Sequence, residues 1–595
     1  MAPGDTLLLP FIDDFSSTFI YPDSTKWLDK KVYINRDFPI APITIGVATF
    51  DGLSETGCPY DTVSTNGNIN LKSDSLTSKP IKLDYQPSDS IYISFYYQAK
   101  GRGDKPELDD SLLLYFKNAS SGAWKKVWGR GGLINNSQAD SVFRRVMIAI
   151  TDTAYLKNGF QFRFINKSAR LGNIDHWHID YVQLKNASFK ADTLINDVAF
   201  VYTPSSYLKN FQAMPWKQYN ASEMTDSLWN FVRNNHTAFL NTNYTYKVFN
   251  QLQTQLLSAN GSGNIEPFFT SGYTTCLIPS TGCRPLLRPP LNSFQFPALT
   301  GNTYFTLEHV INASGDINLK NDTIRRRQDF INYYAYDDGT AELAYGLNVI
   351  GSKLAYKFTL NVQDTLRAVD MYFNWINNML SSPPVNSITQ RQFRITIWNN
   401  NNGIPGAIIY QDSIVTPAYE FEYYTDWGNL SNKFYKYVLT SPQVLNTGTF
   451  FVGWVQYTDD LLNIGLDLNT NANTSKLFYN TLGNWSQSAI QGSVMIRPVF
   501  GTNGETAGEE DQAQVQKNVW KVFPNPANDF IQIKIDEVLT PSAISITDEV
   551  GREIYTSAYL TDIKINTADF TNGIYLVRLL LADGSQSVKK LIIAR

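Results

Sequence analysis

Few residues in this 595-residue chain have the type and spacing that chemistry requires. There are four histidines, His176, His178, His236 and His309. His176 and His178 sit two apart in a β-type run, so both project from one face, a spacing that suits a transition metal. Neither a third histidine nor a cysteine stands near them, and a structural strand is the expected use. Gly-x-Ser-x-Gly, His-Glu-x-x-His, a Walker loop and a Rossmann glycine pattern are all missing. The 54 acidic residues contain many carboxylate pairs of the kind that hydrolyses glycosides, but nothing in their spacing singles one out. A non-enzymatic reading is therefore preferred.

Tryptophan faces stack on sugar rings. Trp124, Trp128 and Trp485 lie in turn-rich contexts and are the carbohydrate candidates, whereas Trp375, Trp398 and Trp454 lie in strand patterns that predict core packing. Cys276 and Cys283 flank a six-residue turn and are expected to form a disulfide in an oxidising compartment, leaving Cys58 as a buried thiol. Arg102-Gly103-Asp104 falls in a glycine-rich loop, where tight turning rather than adhesion is the expected role. Asp467-Leu-Asn469-Thr-Asn471-Ala-Asn473 begins like an EF-hand loop but has Ala472 where glycine belongs and Phe478 where the closing glutamate belongs, so it reads as a polar loop or edge strand. Arg325-Arg326-Arg327 reads as a solvated strand edge. With a net charge of −4 there is no basic field for nucleic acid.

The elements that must position these residues are strands. Charged residues make up 17% and aromatics 14%, with polarity supplied by Asn, Ser and Thr, the balance of an extracellular β-protein. Period-two runs such as Ser90–Tyr97, Ser111–Phe116 and Gly159–Phe164 predict antiparallel sandwiches. The expected class is all-β, a multidomain chain of antiparallel sandwiches. Its parts are a sandwich over 1–190, an Ig-like domain with a long insertion over 191–329, a second sandwich over 330–500, an acidic linker over 501–518 and a small Ig-like sandwich over 519–595. One helix is predicted, from Ser222 to Asn235, on the apolar stripe Met224, Leu228 and Phe231. No run of about 18 apolar residues exists to span a membrane. Met1–Phe15 does not read as a signal peptide, which predicts that the native leader is missing from the numbered chain.

The last segment carries the most specific pattern. Pro524-Asn525-Pro526, the Asp548-Glu-Val-Gly551-Arg552 turn, Asn572-Gly573-Ile574-Tyr575 and the basic-aliphatic end follow one another at short spacing. Residues 519–595 closely resemble the type A C-terminal sorting domain of the bacterial type IX secretion system. That resemblance implies recognition by the type IX machinery, removal of the domain and display at the outer-membrane surface or release. The tripeptide Asp-Ser/Thr-aliphatic, repeated through the chain, resembles the O-glycosylation acceptor of bacteria using this route, with Thr193 and Thr365 as candidates; an Asx turn gives the same letters.

The first segment, with its Gly-Asp-x-Pro loop, Trp124-x-x-x-Trp128 hairpin and Asp175-His-Trp-His-Ile-Asp180 run, resembles MAM-like, concanavalin-type jelly rolls, and the third resembles a second jelly roll. First and last strands of jelly rolls are neighbours. Asp13, Asp14 and Asp180 bracket those strands and are the candidates for a structural Ca2+, an ion that takes six to eight oxygens, the alternative being solvated turn residues. The whole reads as a secreted or surface-anchored binding or adhesion protein with extracellular glycans as partner. Its rivals are a secreted polysaccharide hydrolase and a structural surface component.

Overall fold

The computed structural model describes residues 6–16, 20–60, 71–134, 142–192, 195–225, 228, 230–272, 294–374, 391–418, 420–424, 429–481, 483–501, 520–535, 541–548, 552–558, 563–581 and 586–594. The chain divides into two compact units, Met1–Gly501 and Thr502–Arg595. Both are built of antiparallel sheets, and the chain is a multidomain all-β protein. No helix among the described residues is long and apolar enough to cross a membrane.

In the first sandwich one sheet runs Tyr33–Asn35, Val47–Phe50, Trp177–Lys185, Tyr92–Ala99, Arg144–Ala149 in spatial order, and Phe11–Asp13 also pairs with Trp177–Lys185. The other runs Leu71–Thr77, Asn158–Ser168, Ser111–Lys117, Trp124–Gly131. Alternation explains the core: Phe162 and Phe164 turn inward with Leu112, Leu114 and Phe95, all buried, while Arg163 faces out. The pairing of Trp177–Lys185 with Tyr92–Ala99 shifts register between Asp180 and Gln183, and Tyr181 there has φ 49°. Such a bulge re-aims side chains.

The next segment forms a sheet of Ala213–Pro215, Thr323–Ile331, Thr303–Ala313, Leu240–Asn250 and Gln255–Ile265. The third segment stacks Ile404–Val415, Phe393–Asn401, Gly448–Gln456, Lys353–Leu360, Leu477–Asn480 and Ser486–Gln487 against Tyr435–Leu445, Asp364–Met371 and Ile496–Phe500. Phe211 packs on Tyr334 and Tyr336 at 4.7 and 4.9 Å, and Tyr336 on Phe358 at 5.0 Å, so one apolar core runs from Val198 to Phe500.

Three sequence expectations change. Among the described residues of 222–235 the predicted helix does not form: Asn220 caps a single 3-10 turn, Ala221–Glu223, and Val232–Asn234 is a strand. Met224, Leu228 and Val232 are buried in the core, so tertiary packing overrides the helical spacing of the apolar stripe. Cys58 is half-buried rather than buried. The three arginines are a solvated row only in part, Arg325 and Arg327 being exposed, and their strand lies inside its sheet rather than at an edge. Arg325 is paired with Glu308 and Arg327 lies over Tyr304, while Arg326 turns to the opposite face, as strand alternation requires. Cys276, Cys283, Thr193 and the linker over 502–518 lie outside the described residues.

In the second unit Trp520–Phe523, Phe530–Ile535 and Ile563–Asn566 form one sheet and Glu553–Ala558, Pro541–Asp548, Gly573–Leu581 and Gln586–Ile593 the other. Ile531, Ile533, Ile544, Ile546, Val577, Leu579 and Leu591 fill the space between them.

Candidate functional site

A cleft of about 510 Å3 in the first unit is lined from three distant stretches of chain. The first sandwich supplies Arg36, Asp37 and Arg102; the middle segment supplies Tyr202, Lys209, Phe231 and Arg326; the third supplies Tyr336, Asp338, Asn469, Thr470 and Lys476. Asn35 fixes the first loop by accepting the Asp37 and Phe38 N–H groups at 3.3 and 3.2 Å. Arg102 donates to the Asp37 carbonyl at 3.3 Å and to the Pro39 carbonyl, and lies 5.5 Å from the Tyr202 ring centre. Arg326 donates to the Pro204 carbonyl at 2.8 Å and to Gln212, and its Nε has no partner.

The carboxylates of the cleft are displaced from their ordinary behaviour. Burial, and then the neighbouring Asp338, pushes Asp37 up to about 7 against the pull of Arg36, Arg102 and Arg326. Burial also raises Asp338, whose Oδ1 accepts from the Thr340 hydroxyl at 2.7 Å. Behind it, Glu342 and Asp467 are fully buried and raised further, burial being the first cause in each case. Asp467 accepts from the Asp338 N–H at 2.8 Å and the Asn469 N–H at 2.6 Å, and Glu342 from the Leu468 N–H at 2.7 Å. These buried acids shape the loops that carry Asp338 and Asn469. At the cleft surface five cations, the Tyr202 and Phe231 rings and a band of amides and hydroxyls face two carboxylates, an arrangement that can pair with anionic groups and stack on a ring face.

The residues expected from sequence are distributed elsewhere. Trp124 and Trp128 are separated by a bulge: Lys126 pairs with Tyr115 and Trp128 with Leu114, so Val127 is the extra residue. Trp124 therefore stays on the outer face, 4.2 Å from the Arg163 guanidinium, whereas Trp128 turns inward onto Phe95 and Tyr97, each at 5.1 Å. Trp485 packs edge-on against Trp398 at 5.4 Å in the third segment. Thr365 is half-buried in strand Asp364–Met371, and Asp364 Oδ1 accepts its N–H at 2.8 Å.

Asp13 accepts from Lys26 Nζ at 3.0 Å and Trp27 Nε1 at 2.6 Å. Asp14 and Asp180 turn the other way and are linked through Thr44, whose hydroxyl lies 3.1 Å from the Asp14 carbonyl and 3.2 Å from Asp180 Oδ1. A further acidic group that sequence reading missed is Asp104, Glu107 and Asp175, whose ligand oxygens lie within 4.8 Å of one another; burial, then Asp110, pushes Asp175 up to about 9. His176 and His178 are buried and neutral, lowered to about 3 and about 4 by burial. Their nitrogens meet Asn173, the Asp104 N–H, Thr49 and the Lys100 carbonyl. A Cβ on Gly101 or Gly103 would come within 2.5 Å of the His178 or His176 ring, which accounts for the glycines around Arg102.

In the second unit the motif residues act on backbone. Asn525 donates to the Lys590 carbonyl and accepts the Ile592 N–H, both at 2.8 Å. Asp548 accepts both the N–H and Nε of Arg552 at 2.8 Å, and Tyr575 donates to the Thr571 carbonyl at 2.9 Å. Residues 521–594 match the family described as Secretion system C-terminal sorting domain. The chain ends in a type IX sorting domain. Its bearer is thus a secreted or cell-surface protein that engages the type IX machinery.

No curated protein matches the chain in sequence. Among solved structures, a putative β-galactosidase from Bacteroides fragilis is 11% identical over 45% of this chain and 35% of that one, with a TM-score of 0.19. A β-glucuronidase from Parabacteroides merdae is 12% identical over 50% and 31%, at 0.21. The tandem CBM22 domains of Paenibacillus barcinonensis Xyn10C are 8% identical over 84% and 98%, at 0.19. The chain spans about a third of the length of the first two, and scores of this size carry no inference about its activity.

Proposed function

We propose that residues 1–501 are a secreted or surface-displayed binding protein for extracellular glycans, and that the ligand carries acidic groups and docks in the three-segment cleft. The observation that carries this reading is the lining itself: Arg36, Arg102, Lys209, Arg326 and Lys476 outnumber Asp37 and Asp338, and Tyr202 and Phe231 supply aromatic rings. A glycan array probed with the cargo ending at Gly501 tests it. Uronate- or sulfate-bearing glycans should bind and neutral ones should not, and Arg326→Ala should weaken binding at least tenfold. Retention of neutral glycans alone would refute the reading.

A second reading, hydrolysis of the bound glycan, is favoured by one feature, the mutual electrostatic influence of Asp37 and Asp338 within the cleft, with Asp37 pushed up to about 7 as a general acid requires. Asp37→Asn and Asp338→Asn would then abolish release of reducing ends while sparing binding. For export, deletion of Val519–Arg595 should hold folded cargo in the periplasm; normal surface levels of the truncated protein would contradict that role.

A further inference from the structure

The outer face of the sheet that carries Trp124 in the first sandwich has an unbalanced charge, and strand register fixes what points out from it. Lys72 stands opposite Lys167, Arg163 opposite both Thr77 and Tyr115, Lys126 opposite Tyr115, and Trp124 opposite Lys117. Phe162, Phe164, Leu112 and Leu114 take the alternate positions and are buried in the core. The outward positions therefore hold Lys72, Lys117, Lys126, Arg163 and Lys167, with no Asp or Glu among them. Asp74, in the same sheet, is turned inward and buried, and Asp29 meets the rim by accepting the Thr77 hydroxyl. In a chain with 54 acidic and 50 basic residues, a sheet face of one sign is a local departure from the average.

Among the described residues none of the five cations is held in an ion pair. Neutral groups orient two of them: Arg163 Nε donates to the Thr77 hydroxyl at 2.7 Å and Lys117 Nζ to Gln161 Oε1 at 2.8 Å. Burial, and then Arg163, lowers the Lys72 ammonium from its ordinary value, so these like charges stand near enough to repel. The Arg163 guanidinium lies 4.2 Å and Lys117 Nζ 5.9 Å from the centre of the Trp124 ring, which holds the ring against the sheet while part of it stays in solvent. The four strands measure about 15 Å across, and the positions from Lys167 to Gln161 about 20 Å along, a surface for several residues of a chain lying flat. Its diagonal, from Lys72 to Lys117, is about 25 Å, which leaves about 5 Å per cation. A nucleic-acid strand carries a charge every ~3.4 Å, whereas a polymer with one acidic group per sugar ring is charged more sparsely and offers ring faces to a tryptophan.

We propose that this face binds a linear acidic polysaccharide, with the acidic groups over Lys72, Lys117, Lys126 and Lys167 and a sugar ring on Trp124. Arg163 is a positioning residue, since its guanidinium is spent on Thr77 and the Trp124 ring. The face shares no residue with the three-segment cleft, so the inference stands apart from docking there.

Calorimetric titration of the full chain with polygalacturonate, at low and at high salt, tests it. Affinity should fall as salt rises. Lys126→Glu combined with Lys167→Glu, both at exposed positions that leave the core untouched, should weaken binding roughly tenfold. Lys190→Glu combined with Lys320→Glu, an equal change of charge at exposed positions off this face, should change it less than about twofold. Trp124→Ala should weaken binding several-fold at both salt concentrations, because a stacked ring carries no charge to screen. The losses should persist in Arg326→Ala protein, in which the cleft is disabled. The inference is overturned if the Lys126→Glu, Lys167→Glu protein binds as tightly as the native chain, if the Lys190→Glu, Lys320→Glu protein loses as much, if the loss disappears in Arg326→Ala protein, or if an oligothymidylate binds more tightly than polygalacturonate.

Discussion

Two Asp-Asp pairs open the two sandwiches, and they divide their labour in the same way. In Asp13-Asp14 the first carboxylate is met by Lys26 and Trp27, and in Asp337-Asp338 the first is met by Arg497, whose Nε lies 3.1 and 3.2 Å from the two oxygens. The second carboxylate of each pair faces a cavity and is met by neutral donors, Asn318 and Asn321 in one case and Thr340 in the other. Adjacent side chains point in different directions, so one member of each pair is spent on holding its sandwich together by an ion pair and the other turns to neutral groups. The pairs differ in what surrounds the second member: further buried acids around Asp14, and a ring of guanidinium groups around Asp338.

The largest expected effect separates the two first members. Asp337→Asn leaves Arg497 charged and buried and should lower unfolding free energy by about 3–5 kcal/mol. Asp13→Asn should cost only about 1–2 kcal/mol, because the Lys26 ammonium retains access to water. Urea denaturation of the two variants measures the gap, and equal losses would break the comparison. Next come the second members. Asp338→Asn removes a negative charge from the cleft and should tighten acidic-glycan binding roughly tenfold, read by calorimetry. Asp14→Asn should leave that affinity unchanged, because Asp14 lies outside the cleft.

The smallest effect is a pH dependence. Asp37 sits at about 7 in the folded protein against an ordinary value of 3.8, so the folded cleft keeps a proton that the unfolded chain has released. Its contribution to stability is therefore greatest at the acid end and declines as pH rises from about 4 to 7. The same proton lowers the negative charge beside Arg36, Arg102 and Arg326. Acidic-glycan affinity should be a few-fold higher at pH 6 than at pH 8, and Asp37→Asn should flatten the profile.

How much of this was readable in the chain depends on how locally each feature is encoded. The sorting domain was readable because Asn525, Asp548, Arg552 and Tyr575 satisfy backbone groups of a fixed local geometry, and a family with that geometry keeps those letters in order. Strands were readable from alternation. The cleft was not, because Asp37, Arg102, Arg326 and Asp338 lie up to about 300 residues apart and meet only through the fold. One signal was overlooked: period two along Thr323–Ile331 places Arg326 opposite Arg325 and Arg327, which marks it as the arginine directed away from solvent pairing. The meeting of Asp14 with Asp180 was half readable, since Asp14 directly follows the strand Phe11–Asp13 that pairs with Trp177–Lys185, while Asn321, which donates to Asp14, comes from a segment with no visible tie to them. The tryptophan pair was misleading because a one-residue bulge, which has no strong letter code, moves Trp128 to the other face.

The clamp of Asn525 on Lys590 and Ile592 gives the tail a mechanical property. It ties the opening of the domain to its final strand, so neither end can be peeled away without releasing the other. A pull applied at Trp520 is passed across to Gln586–Ile593, the outer strand of the second sheet, so the load reaches both layers. A tag built this way resists fraying from the end that a cargo tugs on.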